Sequence, residues 1–439
     1  CQAADGKVSG RGATFQTDAT RALINGYRLD VCGPVAADSI AGTNMLAYNY
    51  PAAEAVAGAT GSGAGRSATS CRTDAFGGTD APYNQSQLTS LNGPKPTSGV
   101  GACAITFSPP FSAPGPYPAA GDANGTGTSG AVRTMSIPVG GGAVAIAVRL
   151  DVTASCATVP TSVKFAPLVL SRLLGGVYLN WNDPELAADN PGLAGCDKPI
   201  KRLVRADSSG TTQTLKNYLK NVDAARTGAT CQGTVSWTTL ATQNIVWPNA
   251  ADGTCSSLQS ASGSPNLVAL LGGNDAGGQP NDGGVAYADL SDWNGTPFLL
   301  AELAAATNGA FQAPSAAVGS NCSFVGALPG TTNADAVGLN GSNGIGWATD
   351  AVPLRSDFTN KGALYPVCAL TWDLIYTSLN GNTATTAIAA LTANQRRTLY
   401  SYFTYVLSPA GQARLAPAGY TPLPAGFLNR LRQGFQAGF

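Results

Sequence analysis

Strand-like and helix-like segments alternate along this chain, and that alternation constrains the fold more than any other feature. Residues 7–15 (KVSGRGATF) read as a short strand and a glycine turn. Residues 16–29 (QTDATRALINGYRL) follow with apolar residues at helical spacing. Residues 44–50 alternate like a strand, 61–66 (GSGAGR) read as a Gly-rich turn, and 76–82 (FGGTDAP) as a turn stopped by proline. Residues 136–152 are strand-like with a glycine break, and 166–175 are helical. Residues 200–206 are strand-like and 209–222 helical, 284–290 are strand-like again, helices are expected near 298–307 and 384–407, and a strand at 364–371. Strands taking turns with helices imply α/β layers. Residues 89–134, rich in Gly, Pro, Ser and Thr, interrupt the pattern as a long surface excursion.

The 439 residues are too many for one ordinary core and suit two domains. Formal net charge is zero, and no basic run is present to track a nucleic-acid backbone or an anionic membrane surface. The chain has no histidine, which removes the commonest general base and the commonest metal ligand. No window approaches 18 uninterrupted apolar residues, so no transmembrane segment is expected. Ten well-separated cysteines without a CxxC pair read as disulfides formed in an oxidising compartment. Cys1 could carry an N-terminal lipid, but a disulfide is favoured for it, because lipidation leaves an odd thiol.

Three segments share one chemical design: Gly12-Ala13-Thr14-Phe15, Ser62-Gly63-Ala64-Gly65 and Ser209-Gly210-Thr211-Thr212. Each puts small residues and a hydroxyl before or at a helix start, where free backbone N–H groups and the helix dipole favour an anion. An ordinary Ser/Thr N-cap accounts for any one of them. Three in one chain, with Arg205 and Asp207 beside the third, point to an oxyanion. GSGAGR lacks the Lys-Ser/Thr ending of a nucleotide P-loop, and GRGATF lacks the third glycine of a dinucleotide motif. A hydrolase needs a nucleophile with a base or a metal cluster, and neither is legible, so no catalytic residue, metal site or cofactor is expected.

GRGATFQ (10–16), GTDAPYNQSQL (78–88), IPVGGGAVAIAVRL (137–150), NWNDPELAADNPGL (180–193), RADSSGTTQTLKNYL (205–219), YPVCALTW (365–372) and GYTPLP (419–424) occur in that order. Together they resemble the substrate-binding protein of the bacterial phosphate ABC transporter. The resemblance runs nearly end to end apart from insertions near 89–134, 232–265 and 308–345.

The resemblance implies the α/β two-lobed periplasmic-binding-protein fold of type II, each lobe a mixed sheet flanked by helices, with two crossover strands joining the lobes and inorganic phosphate held between them. Residues 1–137 and 288–439 would form lobe one, and 138–287 lobe two. Thr14 and Phe15 would supply backbone N–H and the Thr hydroxyl, and Ser62 its hydroxyl and N–H. Asp80 would accept the proton of phosphate, Arg205 would make a charge-assisted contact, and Asp207 would orient Arg205. Ser209, Gly210 and Thr211 would complete the set. Gln16 stands where the family usually has Pro and Thr79 where it has Ser; both are expected to flank the ligand groups without being the main donors. The implied role is receptor for phosphate uptake, periplasmic, cell-surface or secreted, with a transporter permease as partner. The alternative is a cell-surface or extracellular structural or adhesive protein built on the same fold. Disulfides are expected within lobes, with Cys156, Cys196, Cys231 and Cys255 pairing among themselves.

Overall fold

The computed structural model describes residues 8–31, 46–48, 61–70, 74–81, 133–314, 322, 359–360, 362–378 and 393–438. The chain divides into two compact units. The first comprises Cys1–Gly141, Val325–Asp357 and Leu370–Phe439; the second comprises Gly142–Phe324 and Phe358–Ala369. The strands among the described residues are β1 (Val8–Gly12), β2 (Leu46–Tyr48), β3 (Phe76–Thr79), β4 (Arg133–Arg149), β5 (Val163–Phe165), β6 (Lys201–Arg205), β7 (Ser257–Ala261), β8 (Gly284–Asp289), β9 (Leu299–Ala304), β10 (Phe311–Gln312) and β11 (Cys368–Ser378). The chain passes from one unit to the other within β4 and again within β11.

In the first unit, β1 runs parallel to β2 and β3, with Gly10 opposite Phe76, and β11 runs antiparallel to β3, with Asp373 opposite Gly78. The helix Thr17–Val31 buries Leu23, Ile24 and Tyr27, the stripe expected of helical spacing. Tyr27, Phe76, Tyr402 and Phe403 form an aromatic cluster with ring centroids 5.1–6.3 Å apart along the contacts Tyr27–Tyr402, Phe76–Tyr402, Phe76–Phe403 and Tyr402–Phe403.

In the second unit, β4 and β8 are antiparallel, while β8, β6 and β7 are parallel neighbours. Val144–Val148 are all fully buried, because this stretch of the sheet is covered on both faces. β9 pairs antiparallel with β4 and β10 and parallel with β5. Trp181, Trp237 and Tyr218 fill this core. Three disulfides lie in this unit: Cys156–Cys196, Cys231–Cys255 and Cys322–Cys368. Cys1, Cys32, Cys71 and Cys103 lie outside the described residues, as do residues 89–132.

Several expectations need correction. GSGAGR is no turn: Ser62–Ser70 is a helix, and its Gly65 lets it press against strand backbone. FGGT of the expected 76–82 turn is β3, hydrogen-bonded on both sides, and Pro82 lies outside the described residues. β4 passes through Gly140–Gly142 without a break, because Gly141 bridges Thr421. The helix expected at 298–307 is strand β9: pairing on both sides overrides the helix preference of its Leu, Ala and Glu. The second unit also takes in 288–324 and 358–369, which the sequence reading assigns to lobe one. β9 brings the first segment to β4, and the Tyr365 hydroxyl donating to the Val144 carbonyl at 3.0 Å ties in the second.

Candidate functional site

The predicted site residues fall into two sets, one in each unit. In the first unit, the chain leaves β1 at Gly12 and enters a 3-10 turn, Thr14–Gln16, that runs directly into the helix Thr17–Val31. Thr14 and Phe15 therefore open a helical N-terminus, and both are buried. The Phe15 carbonyl accepts from the Tyr420 hydroxyl at 2.5 Å, and the two rings meet edge to face. Ser62 is the first residue of the helix Ser62–Ser70. Its hydroxyl donates to Asp80 Oδ2 at 3.0 Å and accepts from the Asp80 backbone N–H at 3.0 Å. The turn at Thr14 and the start of the Ser62 helix are held side by side, because the Gly61 N–H donates to the Gly12 carbonyl at 2.8 Å.

Glycines make this approach feasible. Gly12 has φ +148°, and a Cβ there or on Gly65 would stand 2.0 Å from the Gly78 carbonyl oxygen. Helix and strands thus touch backbone to backbone, and the Gly-rich composition of all three segments follows from that contact.

Behind Asp80 lies a polar chain that the sequence reading missed. The Thr371 hydroxyl lies 2.9 Å from Asp80 Oδ1 and also contacts Gln16 Oε1. Gln16 Nε2 donates to Asp373 Oδ1 at 2.6 Å. Gln16, Thr371 and Asp373 are fully buried. Burial pushes the Asp373 carboxyl up to about 7, and the Gln16 hydrogen bond works against that rise. Gln16 was expected only to flank the site, yet it reaches Asp373 directly and Asp80 through Thr371. The signal in the sequence was the alternation in CALTWDLIY: Thr371 and Asp373 are two residues apart in an otherwise apolar strand and so share a face.

In the second unit, Arg205 ends β6 and is 1% exposed along its side chain. Its Nε and Nη2 donate to the two oxygens of Asp207 at 2.6 and 2.5 Å, a bidentate pair, and its Nη1 donates to Ser264 Oγ at 2.9 Å. Asp207 also accepts from the Gly263 N–H at 3.0 Å. Asp207 and Ser264 thereby fix the guanidinium near the starts of two helices, Gly210–Asp223 and Ser264–Gly272.

Ser209 caps the first of these helices, accepting from the Thr212 N–H at 3.2 Å. Its own N–H donates to Asn244 Oδ1 at 2.9 Å, and Asn244 Nδ2 donates back to the Ser209 carbonyl at 2.7 Å. Ser209 can therefore offer a ligand its hydroxyl hydrogen, while its backbone N–H is already engaged. Gly210 and Thr211 are buried at the first two helical positions, where backbone N–H groups have no intrahelical acceptor. Asn244 was not anticipated. Its loop is clasped by the buried Lys216, whose Nζ donates to the carbonyls of Gln243, Asn244 and Val246 at 2.5–2.8 Å. Desolvation pushes Lys216 down to about 7, and those three carbonyls favour its charged form.

Among the described residues, no three His, Cys, Asp or Glu side chains are grouped so as to hold a metal, and no helix is long and apolar enough to cross a membrane. Taken by itself, the set in the second unit offers the Ser209 hydroxyl, helix-start amides and the fixed Arg205 guanidinium; in the first unit, helix-start amides stand beside the buried Asp80 carboxylate. The latter combination suits an oxyanion bearing a proton.

Residues 115–334 match the family model described as a PBP superfamily domain. The chain is similar to the phosphate-binding protein PstS2 of Mycobacterium bovis, with 25% identity over 272 residues, 61% of this chain and 58% of the relative. It thus spans less than two thirds of that relative's length. Among solved structures it is similar to a phosphate-binding protein from Stenotrophomonas maltophilia, with TM-score 0.57 and 17% identity over 97% of this chain and 93% of the other. It is also similar to PfluDING, a high-affinity periplasmic phosphate-binding protein bound with phosphate, with TM-score 0.56, 17% identity and the same coverage. At that identity the two structures establish the fold.

Proposed function

This chain belongs to the PBP superfamily, and from that premise we propose that it binds inorganic phosphate and performs no chemistry on it. Thr14, Phe15, Ser62 and Asp80 are the proposed ligand groups of the first unit. Arg205, Ser209, Gly210 and Thr211 are those of the second, with Asp207 holding Arg205. The observation that carries the proposal is Asp80. Its carboxylate is buried and hydrogen-bonded to Ser62 at the start of a helix, a place that otherwise favours anions. An acceptor-only group there suits an anion that brings its own proton. Phosphate is protonated at neutral pH and sulfate is not, so sulfate would set acceptor against acceptor out of water. The mycobacterial relative is named a phosphate-binding protein, which supports the same ligand. The reading makes the protein an extracytoplasmic receptor for phosphate uptake, with a transporter permease as partner. Three disulfides support the oxidising location.

The test is calorimetric titration with phosphate and with sulfate at pH 7. Wild type should prefer phosphate by at least about a hundredfold, since an unpaired buried charge is worth several kcal/mol. Asp80→Asn, which can turn an amide N–H to sulfate, should narrow that ratio more than it weakens phosphate. Wild type holding both anions equally well would overturn the phosphate assignment. A variant still excluding sulfate would remove Asp80 from the role.

A further inference from the structure

The hydrogen count behind Asp80 is unusual. The Tyr48 hydroxyl donates to the Ala13 carbonyl at 3.0 Å, so its oxygen can only accept from Gln16, with which it also interacts. That sets the Gln16 amide with Nε2 toward Tyr48 and Asp373, leaving Oε1 toward Thr371. The Thr371 hydroxyl then has one hydrogen and two acceptors within reach, Gln16 Oε1 and Asp80 Oδ1. Asp80 Oδ2 is held by Ser62 at 3.0 Å. The carboxylate is thus held at Oδ2 by Ser62 and at Oδ1 by the hydrogen that Thr371 shares between it and Gln16. Thr371 is placed in turn by Gln16, which is braced on Asp373. Every side chain in this chain of contacts is at most 4% exposed, so water does not take the place of a missing partner.

We propose that Thr371 and Gln16, braced by Asp373, are positioning residues for Asp80, and that this hydrogen-bonded chain sets how strictly the protein demands a protonated oxyanion. The inference rests on the phosphate reading above. A carboxylate pinned at both oxygens keeps its remaining lone pairs aimed in one direction and meets an unprotonated anion with repulsion. Freed at Oδ1, the same carboxylate can rotate away, and the penalty against sulfate relaxes. Positions 16 and 371 thereby act on selectivity without touching the ligand.

The experiment compares wild type, Thr371→Val and Thr371→Ser in phosphate and sulfate titrations, with melting curves to establish folding. Val keeps the shape of Thr and removes the hydroxyl; Ser keeps the hydroxyl. The phosphate-to-sulfate affinity ratio should fall about tenfold or more in Thr371→Val, the range for one hydrogen bond to a charged group. Thr371→Ser should restore it to within about threefold of wild type. If wild type discriminates and a folded Thr371→Val discriminates equally, the positioning role is overturned while the phosphate reading stands. If wild type does not discriminate at all, the phosphate reading falls and takes this inference with it.

Discussion

Replacing Asp373 by Asn should make the stability of the protein less sensitive to pH, in a direction the structure fixes. Asp373 lies on β11 with no solvent exposure, and its Oδ2 has no hydrogen-bond partner among the described residues. Burial lifts its carboxyl from an ordinary 3.8 to about 7. The folded protein therefore binds a proton between those values that the unfolded chain has released. Where the folded state binds more protons, stability falls as pH rises. The penalty is absent below about pH 4, grows through the interval and is complete above about pH 7. Its size follows from the difference, 7 − 3.8 = 3.2 pH units, which at about 1.36 kcal/mol per unit is about 4 kcal/mol. Tyr48 and Tyr402, which interact electrostatically with Asp373, are themselves pushed well above 10 and stay neutral throughout. Asn cannot ionise. It would accept from Gln16 as Asp373 does, but its Nδ2 would lack an acceptor, a fixed loss of about 1–3 kcal/mol at every pH. Urea unfolding of wild type and Asp373→Asn from pH 4 to 8 separates the two effects. The stability of the variant relative to wild type should climb by about 4 kcal/mol across the range, passing from a deficit at pH 4 to a gain at pH 8. A difference that stays flat with pH would refute the argument, because Asp373 would then be ionised in both states or in neither.

Arg205→Ala should lower phosphate affinity at least about tenfold by calorimetry. It should also cost about 3–5 kcal/mol of stability by leaving the buried Asp207 carboxylate without its cation; unchanged affinity would remove Arg205 from the ligand set. Gly78→Ala would place a Cβ 2.0 Å from Tyr48 Oη and 2.4 Å from Gln16 Nε2. It should destabilise by about 1–3 kcal/mol in thermal melts and weaken selectivity along with stability, and a variant indistinguishable from wild type would show that the Tyr48–Gln16 contact can yield freely.

Local rules made part of this fold readable. The helices Thr17–Val31 and Gly210–Asp223 announce themselves because apolar spacing and, in the second, a serine cap agree. β9 does not, because its identity is decided by strands as distant in sequence as β5 and β4, while its own residues favour a helix. The same division runs through the candidate site. Ser62, Ser209 and the small residues beside them are legible, since an anion-binding helix start needs small residues and hydroxyls in one short segment. Asn244 and Thr371 are not, since they reach Ser209 and Asp80 across 35 and 291 residues of sequence. What such residues leave in the sequence is a polar side chain at a position whose alternation calls for an apolar one.

Position 16 carries this furthest. Proline there, usual in the family this chain resembles, would remove the backbone N–H that donates to the Ala13 carbonyl at 3.3 Å. It would also supply no group for Asp373. A buried carboxylate facing a proline has no donor to offset its desolvation, so Gln16→Pro with Asp373 retained would combine the full burial penalty with no compensating bond. Gln16 and Asp373 are therefore best understood as one substitution in two places, 357 residues apart in sequence and 2.6 Å apart in the fold. A change at either alone leaves a buried polar group unmatched. Thr371 shares its strand face with Asp373 and contacts both Gln16 and Asp80. Because of that contact, a departure from the family pattern at position 16 also bears on the carboxylate proposed to select the ligand.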